Sequence, residues 1–258
     1  MGVRPHARDG PPGHAGGVPV FRVLGPVAVS RGGGDPAGIL VAQQRALLAA
    51  LLLRPDEWVA ADRLVDVLWP AHAPRSPARR LSGHVFRLRA LLTALTGEPR
   101  VESQPGGYRL RLHPGQLDLH VFEDLAERGR RAYIAGDPDL AALLLTEALA
   151  VWRAEPYADV PAELVAHAAR GLRERRLMVH EHLVEAELAR GRAEAVVPLV
   201  RGLLADTPRS ERLWTQLITA YGRLERRADA LAAYQQALLV LRELGPQVRA
   251  AHRLVQGA

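Results

Sequence analysis

Residues 76–112, SPARRLSGHVFRLRALLTALTGEPRVESQPGGYRLRL, decide the fold. Ser76 suits a helix N-cap. Pro77 suits the first helical turn, where a missing N–H leaves nothing unpaired. The spacing predicts a helix from Pro77 to Leu95, closed by Gly97 with Pro99 beyond. Ala78, Leu81, Val85, Leu88 and Leu92 recur at helical spacing as one apolar stripe. Arg79, Arg80, Gly83 and Arg87 lie opposite, flanked by Phe86 and Ala90. From Arg100 to Leu112 the pattern becomes alternating. Tyr108, Leu110 and Leu112 share one side of a strand and Arg109 and Arg111 the other, with Pro105-Gly106-Gly107 as the turn of a hairpin.

Upstream, Val20 to Val29 (VFRVLGPVAV) reads as two short strands broken at Gly25-Pro26. Gly38 to Ala42 suggests a third. Gln43 to Leu53 is helical, with Ala46, Leu47, Ala50 and Leu51 recurring and Pro55 as the stop. Asp62 to Trp69 makes a second helix, with Leu64, Val65, Leu68 and Trp69 on one face and Pro70 ending it. Nine of the first 19 residues are Gly or Pro, so residues 1–19 are expected to be a disordered tail. The order strands, helix, helix, long helix, hairpin is that of a winged helix-turn-helix, with the long helix as the groove-reading element and the hairpin as the wing. This domain is expected over residues 20–113.

Strand signals cease after His113-Pro114-Gly115, and residues 118–258 read as helical throughout. Three helix–turn–helix segments carry their turns at Ala135 to Pro138, Arg190 to Arg192 and Arg223 to Arg227. Ala141, Ala195 and Ala230 occupy corresponding places, and the last separation is close to the tetratricopeptide period of about 34 residues. Trp214, Leu217, Tyr221, Ala230, Tyr234 and Ala237 fit that repeat's large/small pattern, with Ile218 where a glycine is usual. Gly129, Ala141 and Ala148 keep it in the first unit. Trp152 is expected to join Trp214, Tyr221 and Tyr234 in the repeat core. The fold class is therefore mainly α with a small β part, a winged helix followed by a tetratricopeptide-like helical domain.

All 34 basic residues of the 258 are arginine, and the net charge is +6. Residues 20–113 carry 13 arginines and seven acids, whereas residues 114–258 carry 19 and 20. Arginine is the better bidentate partner for phosphate and guanine. A basic module beside a near-neutral one suggests that the first binds an anion and the second does something else.

No catalytic, cofactor or metal residues are expected, and the chain is read as not an enzyme. It has no cysteine, no G-x-S-x-G and no kinase signature, and Gly32-Gly33-Gly34 lacks the GK[ST] ending of a phosphate loop. His180-Glu181-His182 mimics a metal cluster, but residues two apart on a helix point roughly 200° apart and cannot share an ion. The run Arg173-Glu174-Arg175-Arg176 reads as a solvated face with local ion pairs. With no apolar run of ~18–20 residues and no hydrophobic leader, a soluble cytoplasmic protein is the default.

The succession FRVLGPVAV, QRALLAALLL, DRLVDVLWP, HVFRLRALL and PGGYRLRL, then LDLHVFEDL, AGDPDLAALLLTEALAVWR and ERLWTQLITAYGRLERRADALAAYQQAL, resembles the Streptomyces antibiotic regulatory protein (SARP) family over about residues 20–245. The resemblance implies an OmpR/PhoB-type winged helix and a bacterial transcriptional activation domain, in a small member without the nucleotide-binding domain of larger relatives. It implies an activator of a secondary-metabolite (antibiotic) gene cluster that binds direct repeats of double-stranded DNA at promoters. Its implied partner is RNA polymerase, through the sigma and alpha subunits, and it would be a homodimer at least on DNA, with no membrane role. The expected DNA-binding residues are Arg79, Arg80, Gly83, Phe86, Arg87, Gln104, Arg109 and Arg111. The wing arginines would grip phosphates and Gln104 would reach the minor groove. The family often has Ser at the place of Phe86, which leaves a thymine-methyl contact and a small helix shift both open. Ala60-Ala61 replaces a Ser or Thr cap, and LRELGPQV abbreviates a longer turn. Two rivals remain from the residues alone. One is a tetratricopeptide scaffold whose basic module docks an acidic protein; the other is a ligand-responsive repressor.

Overall fold

The computed structural model describes residues 21–30, 41–241 and 243–257. The expected tail, the Gly32 to Gly34 run and most of the expected strand at Gly38 to Ala42 lie outside them. Within the described part of that last stretch, Val41 caps a helix and Ala42 begins it. The chain divides into two compact units. The first takes residues 21–22, 28–30 and 41–121; the second takes 23–27 and 122 onward. The division falls later than the His113 to Pro114 break in strand pattern. Phe21 N–H donates to the Gln116 carbonyl at 2.8 Å and so holds that segment in the first unit.

In the first unit, β1 (Phe21–Arg22) and β2 (Ala28–Val29) pair antiparallel. Helices α1 (Ala42–Leu52), α2 (Ala61–Leu68) and α3 (Pro77–Thr96) follow the expected order. A second sheet has the order β3-β5-β4, from β3 (Val59–Ala60), β4 (Val101–Gln104) and β5 (Gly107–Leu110). Sequence reading missed β3, two residues long, because so short a segment shows no alternation. A Cβ on Gly107 would lie 2.9 Å from the Val59 carbonyl oxygen, so glycine is what allows β3 to approach β5.

Leu81, Val85, Leu88 and Leu92 of α3 are buried, as are Leu47, Leu51, Leu64 and Leu110, and α3 packs against α1, α2 and β4. Ala78 does not belong to that stripe: it is exposed, in the first turn. Ser76 is the N-cap residue by position, but its side chain makes no capping bond. Gly97 closes the helix in the left-handed conformation, φ 79°.

The second unit is a run of antiparallel helix pairs. These are α4 (Asp118–Ile134, in this unit from Phe122 onward) with α5 (Pro138–Ala150), α6 (Ala162–Ala189) with α7 (Ala193–Asp206), and α8 (Glu211–Arg223) with α9 (Arg227–Val240); α10 (Pro246–Gly257) closes it. Ala141, Ala148, Ala230 and Ala237 are buried. Ala195 is not; Val196 is the buried residue three places into α7, as Ala141 and Ala230 are in α5 and α9. Val196 and Ala230 are 34 residues apart, the full repeat period. Trp214 and Tyr221 are core residues, and Tyr234 stacks on His252 of α10 at 3.8 Å between ring centroids. The arginine run on α6 is not a set of local pairs. Arg173 reaches Glu155, Arg175 reaches Glu123 and Arg176 lies over the Trp152 ring, tying α6 to distant parts of its unit.

Candidate nucleic-acid interface

From Val67 to Gly97 the chain has no carboxylate and five arginines. Helix α3 turns its apolar stripe inward, so the residues opposite that stripe must face out. Arg79, Arg80 and Arg87 are exposed, as are Phe86 and Ala90, and Gly83 is half-buried between them. Arg75, one residue ahead of the cap, is also exposed; sequence reading left it out because it lies before the helix.

Arg79, Arg80 and Arg75 form no ion pair among the described residues. Arg87 has a neutral partner. Its Nη2 donates to His84 Nδ1 at 3.2 Å, since a guanidinium can only donate. His84 is buried, with its ring edge-on to Trp69 at 5.8 Å. Burial first, then the charges of Arg87 and Arg80, pull its pKa below the usual histidine value. A neutral His84 with Nδ1 as acceptor holds Arg87 without cancelling its charge.

The other four arginines between Arg75 and Arg111 have partners within the protein. Arg89 donates Nε to the Val101 carbonyl at 2.8 Å and Nη2 to Ser103 Oγ at 2.5 Å, which fixes β4 against α3. Arg100 is 3% exposed and donates to Thr96. Arg109 faces Glu102 across the β4–β5 pair, donates Nε to its carboxylate at 2.8 Å, and stacks over Trp58 at 4.4 Å. Arg111 lies 3.6 Å from Asp56 and 3.7 Å from Glu102, with half of its side chain exposed. The wing arginines thus share carboxylates, whereas those of α3 have none among the described residues. Alternation could show that Arg109 leaves the core face; it could not show that Glu102 sits opposite, because that depends on register. Gln104 is exposed beside the Pro105-Gly106 turn.

His180-Glu181-His182 forms no metal site, and no group of His, Asp and Glu suited to a metal occurs among the described residues. Glu181 is buried as a structural hub, accepting from Ser210 Oγ at 3.1 Å while its carbonyl accepts from Gln216 Nε2 at 2.8 Å. No helix among the described residues is long and apolar enough to cross a membrane.

Residues 117–256 match the family described as the bacterial transcriptional activator domain. The chain is 35% identical to transcriptional regulatory protein MoaR1 of Mycobacterium tuberculosis over 273 residues, covering 99% of this chain and 86% of MoaR1. It is 31% identical to regulatory protein DnrI of Streptomyces peucetius, covering 90% and 89%. Transcriptional regulatory protein EmbR of Mycobacterium tuberculosis is 34% identical over 238 residues, of which this chain spans 61% of the length. The solved structure of EmbR in complex with a low affinity phosphopeptide aligns with a TM-score of 0.87 at 32% identity, over 93% of this chain and 65% of that one. With this helical domain, this winged helix ahead of it and relatives matched over most of their length, the chain belongs to the Streptomyces antibiotic regulatory protein family of transcriptional activators.

Proposed function

We propose that this chain is a sequence-specific DNA-binding activator in which α3 enters the major groove. The observation that carries the reading is the outward face of α3: Arg79 and Arg80 without carboxylate partners among the described residues, Arg87 held by a neutral histidine, and a 31-residue stretch without an acid. Arginines on the first turns of such a helix meet base edges and phosphates together. Gly83 leaves room for the backbone to come close. In the wing, Arg111 meets phosphate and Gln104 enters the minor groove. Arg109 contributes less, because a phosphate there competes with Glu102 and Trp58.

The finer reading follows the family. The targets are direct repeats at promoters of a secondary-metabolite gene cluster in the cytoplasm, two copies bind side by side on the DNA, and the helical domain contacts the sigma and alpha subunits of RNA polymerase. One winged helix reads a short site that recurs by chance, so paired copies supply the missing specificity.

The test is a salt titration on duplex DNA with the full chain. Arg79→Ala should lower the slope of log K against log salt by about 1, the loss of one phosphate contact. Arg109→Ala should lower it by less. Equal binding to all duplexes by wild type and Arg79→Ala would sink the reading in favour of a protein-docking module.

A further inference from the structure

The chain has three phenylalanines. Phe21 and Phe122 are buried to within 1%, whereas Phe86 is 69% exposed. An isolated exposed apolar side chain is common and needs no account. Phe86 differs in its surroundings, since it stands in the middle of the cationic face of α3.

Its place on the helix is specific. Phe86 follows Arg79 by seven residues and Gly83 by three and precedes Ala90 by four, so all four share one side. At 1.5 Å of rise per residue, the ring lies roughly 10 Å along the axis from Arg79, about three base-pair steps. Gly83 has no side chain and Ala90 only a methyl, so the ring projects beyond both neighbours on its stripe. Among the described residues the ring takes part in no aromatic or cation–π contact.

A phenyl ring offers no donor to a phosphate, so the arginines' chemistry does not explain it. In the major groove, one base carries an apolar group of its own: thymine, with its C5-methyl. Adenine and guanine present N7 and polar exocyclic groups there, and cytosine presents an amino group. A ring against these would strip them of water without replacing the lost hydrogen bonds. We infer that Phe86 is a specificity residue that selects thymine by its C5-methyl group, about three base pairs from the bases or phosphates met by Arg79. This rests on α3 being the groove-reading helix.

The experiment selects duplexes from a randomised double-stranded DNA pool with the full chain and with Phe86→Ser. Wild type should enrich a site with one fixed thymine that Phe86→Ser no longer requires, while the remaining fixed bases stay. The enriched duplex is then remade with deoxyuridine at that position, which removes only the methyl. Wild type should bind it about three- to tenfold more weakly, the range expected for one methyl leaving an apolar contact. Phe86→Ala should bind both duplexes equally. A site enriched equally by wild type and Phe86→Ser, or indifference of wild type to deoxyuridine, overturns the thymine role and leaves DNA binding standing. No enrichment by wild type overturns the groove-reading assignment and this inference with it.

Discussion

Gly83 lies mid-helix, where glycine costs up to about 1 kcal/mol relative to alanine. A Cβ there would meet only Arg87 Nη1, at an ordinary 3.8 Å, so packing within the protein does not require the glycine. Its cost is explained if something outside the chain must come close. Gly83→Ala should therefore raise thermal stability by ~0.5–1 kcal/mol while weakening binding to an enriched duplex. Both are read on the same preparation, by thermal melt and by fluorescence anisotropy. A variant that is more stable and binds equally well would place Gly83 away from the groove. The arginine face of α3 was legible from residue spacing alone, because a buried stripe fixes what lies opposite it. Which arginines stay unpaired was not legible. Arg109 is expected to be as free for phosphate as Arg79, and is not, because strand register brings Glu102 opposite it.

At the scale of elements, the helix pairs depend on close approach. A Cβ on Gly129 of α4 would fall 2.7 Å from Leu145 Cγ and 3.3 Å from the Leu145 backbone nitrogen in α5. The side chain can move, but the backbone cannot follow without opening the pair. Gly129→Ala should thus destabilise the helical unit by ~1–3 kcal/mol despite the better helix propensity of alanine, read as a lower denaturation midpoint. A neutral result would mean that α4 and α5 slide freely. Helix α6 brings a second expectation. Burial, aided by Arg176, depresses the His180 pKa to about 4 from an ordinary 6.5, and His182 is depressed in the same direction. Between those pH values the unfolded chain binds more protons than the folded one. Stability is therefore fully present above pH 6.5 and declines as pH falls towards 4. His180→Gln should shrink the fall in denaturation midpoint between pH 7 and pH 5; an undiminished fall would assign it to other groups. The repeat of helix pairs was readable from its turns and small residues. Its register in α7 was not: Ala195 and Val196 are adjacent, and only packing shows which one points inward.

Across the whole molecule, the division of charge is the feature that sequence displays most directly, because it needs no geometry. Residues 20–113 carry the excess of arginine, and residues 114–258 balance theirs. Geometry adds how that balance is used. In the second unit Arg128, Arg130, Arg131, Arg173, Arg175, Arg190, Arg212 and Arg226 are ion-paired with carboxylates of their own unit. Cations neutralised in this way release few counterions from DNA, whereas Arg75, Arg79 and Arg80 can each displace one. The salt dependence of DNA binding by the full chain should thus reside in the first unit. Replacing Arg75, Arg79 and Arg80 together by alanine should lower the slope of log K against log salt by about 3. Replacing Arg170, Arg201 and Arg209, three exposed arginines of the second unit, should leave the slope unchanged although it removes the same formal charge. The comparison separates a local contact surface from a general attraction by net charge. Equal losses in the two triple variants would show that the protein holds DNA by its overall field, and would remove the special standing of α3.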